Sequence, residues 1–355
     1  MEPVNLDDLS IYGHYDPEGM LGRIKELPEQ CRLAWQAVQD FHLPGDYTEI
    51  DNILILGMGG SAIGGDLVRS LVLGESRVPV IIHRDYGLPH FVNDRTLIIA
   101  SSYSGNTEET LSGFETALKT GAKKLAMTTG GRIKELAEAN GVPVFTITYK
   151  AQPRAALGFS FLPTLGVLQK LGLLWDKSAD VNETIGVLEK LAATQGETSP
   201  VADNPAKQMA QRLAGCLPVV YGAGFTAEAA HRWKTQFNEN SKTWAFYEVF
   251  PELNHNATVG FPLPEEVAAR IRVLFLRSPL MNKRLNLRME VTAELLERAG
   301  VASEYVDSQG QSALSQMMSL VMMGDFVSYY LAILSRIDPS PVEVIDYLKG
   351  RLADG

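Results

Sequence analysis

The chain has 355 residues, of which 45% are apolar and 21% charged; this excludes a wholly disordered chain, and the length allows two domains. A chain of this size buries roughly 75% of its unfolded surface, so it can hold a core without disulfides or metal. With 32 basic and 42 acidic residues the net charge is -10, and no Lys/Arg-rich run offers a duplex a footprint, so nucleic acid is excluded as an expected partner.

The elements alternate along the chain. Residues 17–42 read as one amphipathic helix ending near His42-Leu43-Pro44-Gly45. Asn52–Leu56 is a continuous apolar run, the pattern of a parallel strand buried on both faces. Further strands are predicted at 78–83, 96–100, 124–128 and 142–148, with helices at about 61–73, 106–120 and 131–140 between them. Helical stretches at about 155–173 and 182–194 and a loop at 194–200 occupy the middle of the chain. The pattern then resumes, with strands at 217–221, 244–248, 270–276 and 303–306 and helices at about 225–240, 282–299 and 311–335. The expected fold is therefore α/β, with doubly wound parallel sheets covered by helices. Leu56-Gly57-Met58-Gly59 matches Tyr221-Gly222-Ala223-Gly224 at an offset of 165 residues, so the sheets read as tandem copies of one unit. The expected domains are 1–176 and 177–355.

No uninterrupted apolar run reaches the roughly 18 residues of a membrane span, and the acidic N-terminus lacks a basic segment followed by an apolar one, so neither a membrane nor a secretory signal is expected. Cys31 and Cys216 lie in apolar contexts and read as inert packing residues of a reduced cytoplasm, the expected location. His14, His42, His83, His90 and His231 show no ligand spacing, so no metal is expected. Trp175, Trp233 and Trp244 read as core or interface anchors, and Met317, Met318, Met322 and Met323 as helix packing.

In an open parallel sheet ligands sit at the carboxyl ends of the strands. Two loops fall there in the first half. Gly57–Asp66 is glycine-rich, which lets backbone N–H groups approach an anion at the start of a helix. Ser101-Ser102-Tyr103-Ser104-Gly105-Asn106-Thr107 offers four Ser or Thr hydroxyls immediately before another helix. Helix capping explains one or two of these hydroxyls. Gly57-x-Gly59-x-x-Ala62, followed by Asp85, also fits a dinucleotide fingerprint, which would imply a nicotinamide-dependent dehydrogenase. The hydroxyl loop is no part of that fingerprint and favours a small phosphate monoester.

Gly59-Gly60-Ser61 with Ser102-Tyr103-Ser104-Gly105-Asn106-Thr107 resembles the sugar isomerase (SIS) domain family, whose members bind phosphosugars. Asn238-Glu239-Asn240-Ser241-Lys242 and Pro251-Glu252-Leu253-Asn254-His255-Asn256 look like the bifunctional phosphoglucose/phosphomannose isomerases, and the resemblance runs from about residue 15 to 352. It implies that Gly60, Ser61, Ser102, Ser104 and Thr107 hold the phosphate. It also implies that Arg154 stabilises an enediolate, that Glu239 is the base, and that Lys349 lies near the ring oxygen. His255 would open the ring, reaching in from the partner of a homodimer. No cofactor is implied.

The chemistry is coherent. Ring opening suits a histidine, proton transfer on carbon suits a carboxylate, and a developing oxyanion suits a fixed guanidinium. Taken singly, each residue also has an ordinary reading. Glu239 could be a solvated helix residue, His255 a polar loop residue, Arg154 an ion-pair partner, and Lys349 a complement to a helix dipole. A non-catalytic phosphosugar sensor remains the alternative in a different class, although no DNA-reading module accompanies it. The apolar helix at 311–335 is expected either in the core or at a dimer contact. Asp338-Pro339-Ser340-Pro341-Val342 carries no glutamine, which the resemblance links to use of both epimeric aldoses.

Overall fold

The computed structural model describes residues 4–353. In chain order, α1 (Ser10–Tyr15) and α2 (Met20–Lys25) precede α3 (Leu27–Asp40). The single helix expected over 17–42 is thus interrupted at Glu26, because Pro28 brings no N–H to the first turn of α3 and can only stand at a helix start. Next come β1 (Asn52–Leu56), α4 (Gly59–Val72), β2 (Val80–His83), β3 (Thr96–Ser101), α5 (Glu108–Ala117), β4 (Lys123–Thr128), α6 (Gly131–Ala139) and β5 (Val144–Thr146). A 3-10 turn at Pro153–Ala155 leads into α7 (Leu157–Lys170) and α8 (Ser178–Gln195). The second series is α9 (Pro205–Leu213), β6 (Leu217–Ala223), α10 (Ala227–Glu239), β7 (Phe246–Phe250), α11 (Glu265–Ala268), β8 (Ile271–Arg277), α12 (Lys283–Arg298), β9 (Ala302–Asp307), α13 (Ala313–Leu334) and α14 (Glu343–Ala353).

The strands form two wholly parallel sheets, ordered β2-β1-β3-β4-β5 and β7-β6-β8-β9. In each, the first strand lies between the second and third, so the order reverses beside it. Ile53–Leu56 and all of β3 are buried, as expected of strands covered on both faces. Gly59 (φ +48°) and Gly224 (φ +52°) occupy matching left-handed positions 165 residues apart, where a side chain would be strained.

The chain divides into two compact units that do not follow the linear split at 176–177. The first-sheet unit comprises Glu26–Glu189 and Gln309–Met318; the second-sheet unit comprises the segment up to Lys25, Lys190–Ser308 and the segment from Ser319 on. The contacts explain the exchange. Lys207, fully buried, donates to the carbonyls of Leu6 and Glu197, each at 2.8 Å, and Tyr12 packs against Tyr329 and Tyr330, tying the N-terminal segment to the second sheet's unit. The Glu183 carboxylate accepts the N–H groups of Gln311 and Ser312, tying the head of α13 to the first sheet's unit.

Within the first-sheet unit α7 is buried on every side and packs against α3 and α4. α13 has 22 residues, and an 18-residue stretch of it has a mean hydropathy of 1.6, long and apolar enough to cross a membrane, although Ser315, Gln316, Ser319 and Asp325 interrupt the apolar run. In that stretch 89% of the residues are buried within the chain, so the apolar stripes serve its core. Trp233 is fully buried and donates to the Leu320 carbonyl at 2.7 Å, whereas Trp175 and Trp244 are exposed and anchor no core. Met317, Met318 and Met322 are buried and Met323 partly so. Burial pushes the Cys31 thiol up to about 12, whereas Cys216 is partly exposed.

Candidate active site

The first-sheet unit places its two distinctive loops on either side of the point where strand order reverses, after β1 and after β3. Hydroxyls join them. Ser61 Oγ, in the first turn of α4, accepts the Tyr103 N–H at 3.0 Å, and Ser101 Oγ donates to the Ser61 carbonyl at 3.1 Å. Ser102 Oγ lies 2.9 Å from Thr107 Oγ1 and accepts the Gly105 N–H at 3.1 Å, while Ser104 Oγ accepts the Asn106 N–H at 3.2 Å. Gly105 has φ +70°, and a Cβ there would stand 1.8 Å from the Gly130 carbonyl oxygen, so only glycine permits this close turn.

Capping does not account for these hydroxyls. Thr107 is the N-cap residue of α5 yet makes no side-chain cap bond. Met58 at the start of α4 makes none either. Both helices therefore present first-turn N–H groups together with the hydroxyls of Ser61, Ser102 and Thr107, a set of donors suited to a phosphate. Arg154 belongs to the same unit. It lies in the Pro153–Ala155 turn, which packs directly on Gly60, and its side chain is buried. The structure thus brings Gly60, Ser61, Ser102, Ser104, Thr107 and Arg154 into one unit.

In the equivalent turn of the second sheet, Thr226 Oγ1 accepts the Ala223 N–H at 3.1 Å and lies 3.1 Å from the Leu276 carbonyl oxygen. After β8, Asn282 caps α12 by accepting the Arg284 N–H at 2.8 Å. The residues of this unit that the resemblance singles out, Glu239, His255 and Lys349, lie on three separate elements. Glu239 is the last residue of α10 and is partly buried. His255 ends a short 3-10 turn after β7 and is exposed. Lys349 is exposed on α14. His231, one turn into α10, stacks on Tyr247 and lies 3.2 Å from Glu228.

Two supports escaped the reading of the sequence. Tyr103 Oη donates to the Tyr149 carbonyl at 2.6 Å and accepts the Ala151 N–H at 2.8 Å, fixing the segment that leads to Arg154. α10 is held on α13 by the Arg232–Asp325 ion pair (3.0 and 2.9 Å), by Gln236 donating to Asp325 at 2.8 Å, and by Asn240 donating to Ser328 Oγ at 3.0 Å. The spacing 232, 236, 240 is one helix face, a signal the sequence did contain. It registers the helix end that carries Glu239.

The model of the bacterial phospho-glucose isomerase C-terminal SIS domain matches residues 202–352. A bifunctional phosphoglucose/phosphomannose isomerase of Caldicellulosiruptor bescii is 44% identical over 338 residues, 94% of this chain and 99% of that protein. A protein of the same name from Aquifex aeolicus is 36% identical over 86% of this chain and 92% of its own length. Among solved structures, a hypothetical protein from Thermus thermophilus aligns over 98% of this chain and 93% of that one, with a TM-score of 0.73 at 17% identity. The C-terminal domain of a glucosamine-fructose-6-phosphate aminotransferase from Francisella tularensis covers 91% of this chain and 98% of that one, with a TM-score of 0.67 at 15% identity, a likeness of fold. With its hydroxyl loops at the strand-order reversal and relatives aligned over nearly its whole length, the chain belongs to the bifunctional phosphoglucose/phosphomannose isomerase family.

Proposed function

We propose that the protein is a metal-independent isomerase that interconverts glucose 6-phosphate and mannose 6-phosphate with fructose 6-phosphate, a cytoplasmic reaction of carbohydrate metabolism. The observation that carries this reading is the whole-length likeness to relatives of that name. The paired hydroxyl loops support it as the phosphate grip. In this scheme the phosphate sits among Gly60, Ser61, Ser102, Ser104 and Thr107. His255 moves the proton that opens the sugar ring, and Lys349 lies beside the ring oxygen. The Glu239 carboxylate takes the proton from C2 of the open aldose and returns it to C1. The negative charge on the intervening cis-enediolate is met by the Arg154 guanidinium, which stays charged at any working pH. Glucose and mannose 6-phosphates differ at C2 and collapse to the same enediolate, so use of both needs only room to present either face. The glutamine-free stretch Asp338–Val342 is where that room is expected.

We place His255 in the site of a partner subunit in a two-fold dimer; its exposure in the single chain is compatible with that role. Purified protein supplied with fructose 6-phosphate, in an assay coupled to glucose 6-phosphate dehydrogenase, will form glucose 6-phosphate; binding without turnover would leave a sensor. Mixing Glu239→Gln and His255→Ala subunits will restore about a quarter of wild-type activity if the site is shared, because half the dimers then hold one intact site. No recovery would place His255 in its own chain's site.

A further inference from the structure

Loops position catalytic groups only when something rigid holds them. The turn that ends in His255 has three such holds, all within the second-sheet unit. Leu253 is fully buried in the apolar cluster with Phe250, Met289 and Leu296. Asn256 donates to Glu252 Oε1 at 3.0 Å, closing the turn on itself. Between them Asn254 is clamped by α12: its Nδ2 donates to Thr292 Oγ1 at 2.8 Å, and its Oδ1 accepts from Arg288 Nη1 at 3.1 Å. Arg288 and Thr292 are four residues apart, neighbours on one face of the helix. Arg288 can only donate, so the two bonds together fix which way the amide faces; the reverse orientation would set donor against donor. Thr292 is fully buried.

We propose that Asn254, Arg288 and Thr292 form a positioning device for His255, transmitting the rigidity of α12 to the exposed imidazole one residue away. None of the three is assigned to touch substrate. The inference rests on His255 being the ring-opening group, and its test separates the two. The hydroxyl of Thr292 is the cleanest handle, because valine keeps the shape and removes only the hydroxyl that accepts from Asn254.

Thr292→Val, Arg288→Met and His255→Ala are prepared with the doubles Thr292→Val/His255→Ala and Arg288→Met/His255→Ala, and with Thr292→Ser as the conservative rescue. Loss of one positioning hydrogen bond lowers kcat about fivefold to tenfold, with KM within about twofold, and Thr292→Ser recovers most of that loss. In the His255→Ala background neither Thr292→Val nor Arg288→Met has a further effect on kcat, because the group being positioned is gone. An equal fold-loss in both backgrounds would overturn the proposal and make the clamp a general support of the fold, as would a rise in KM at constant kcat. If His255→Ala alone leaves kcat unchanged, the assignment of His255 fails, and this inference with it. Thermal midpoints recorded for every variant show which have folded; if Thr292→Val does not fold, Arg288→Met, at the solvent side of the clamp, carries the same cycle.

Discussion

Replacing Gly60 by alanine isolates the join between the proposed phosphate loop and Arg154. A Cβ on Gly60 would stand 2.8 Å from the Pro153 carbonyl carbon, 2.9 Å from the Arg154 nitrogen and 3.0 Å from the Pro153 oxygen. Relaxed contacts lie near 3.5–4.0 Å, so the Pro153–Ala155 turn must retreat from α4 by about 0.5–1 Å. The obstructing atoms are backbone, which cannot swing aside. Overpacking of this kind costs about 1–3 kcal/mol, and the better helix propensity of alanine returns up to about 1 kcal/mol. The net loss of stability is therefore about 0–3 kcal/mol. The effect on rate is larger, since a displacement near 1 Å in a catalytic group costs about 100-fold. Gly60→Ala is thus expected to stay folded in urea titration while kcat for fructose 6-phosphate falls about 100-fold. Gly186→Ala, on an exposed position of α8 with nothing near its Cβ, is the control and should gain about 0.4–1 kcal/mol without change in rate. If Gly60→Ala kept kcat and KM within about twofold of wild type, the turn would not be what delivers Arg154 to the substrate.

Three further outcomes follow from the same contacts. Ser102→Ala and Thr107→Val each remove a hydroxyl from the proposed phosphate grip and will raise KM about tenfold or more, with a smaller change in kcat, in steady-state assays. Asp325→Ala leaves the buried Arg232 guanidinium without its carboxylate and will cost about 3–5 kcal/mol in urea titration, whereas Glu304→Ala, at the more exposed pair with Arg212, will cost less than about 1 kcal/mol. Burial raises the pKa of Glu183, but the Gln311 N–H, the hydroxyl and N–H of Ser312 and the Ser315 hydroxyl together outweigh it and hold the pKa below the ordinary 4.5. The sign follows: the folded state binds this proton less readily than the unfolded one, so the stabilisation is fully present above pH 4.5 and is lost as pH falls through the lowered value. Thermal midpoints of Glu183→Gln measured from pH 3 to 7 will accordingly be less acid-sensitive than those of wild type.

Much of this was legible in the residues because it rests on local chemistry. Asn52–Leu56 and Thr96–Ala100 announced buried strands by unbroken apolarity, and the glycines at 59 and 224 announced the same left-handed turn in both halves. The hydroxyls of residues 101–107 stood out because they outnumber what a helix start can use. What could not be read depends on the chain's return upon itself. Nothing near Lys207 predicts that it caps the carbonyls of Leu6 and Glu197, and so draws the N-terminal segment into the second-sheet unit. α13 was legible as an apolar helix, but the partners of its buried polar residues were not. Its Asp325 is tolerated there only because Arg232 and Gln236 meet it, a pairing 93 residues apart in sequence for the arginine. Trp175 and Trp244, which the sequence reads as core or interface anchors, are exposed in the single chain, so neither anchors its core.

Glu239→Gln tests the catalytic assignment most directly, because the amide keeps the shape of the carboxylate and one acceptor oxygen but cannot take a proton from carbon. kcat for fructose 6-phosphate is expected to fall about 100-fold to 10,000-fold, while 5-phosphoarabinonate, a mimic of the enediolate, binds with a Kd within about threefold of wild type, since Arg154 and the hydroxyl loops are untouched. A Glu239→Gln protein that turned over at near the wild-type rate would show that the base is another residue.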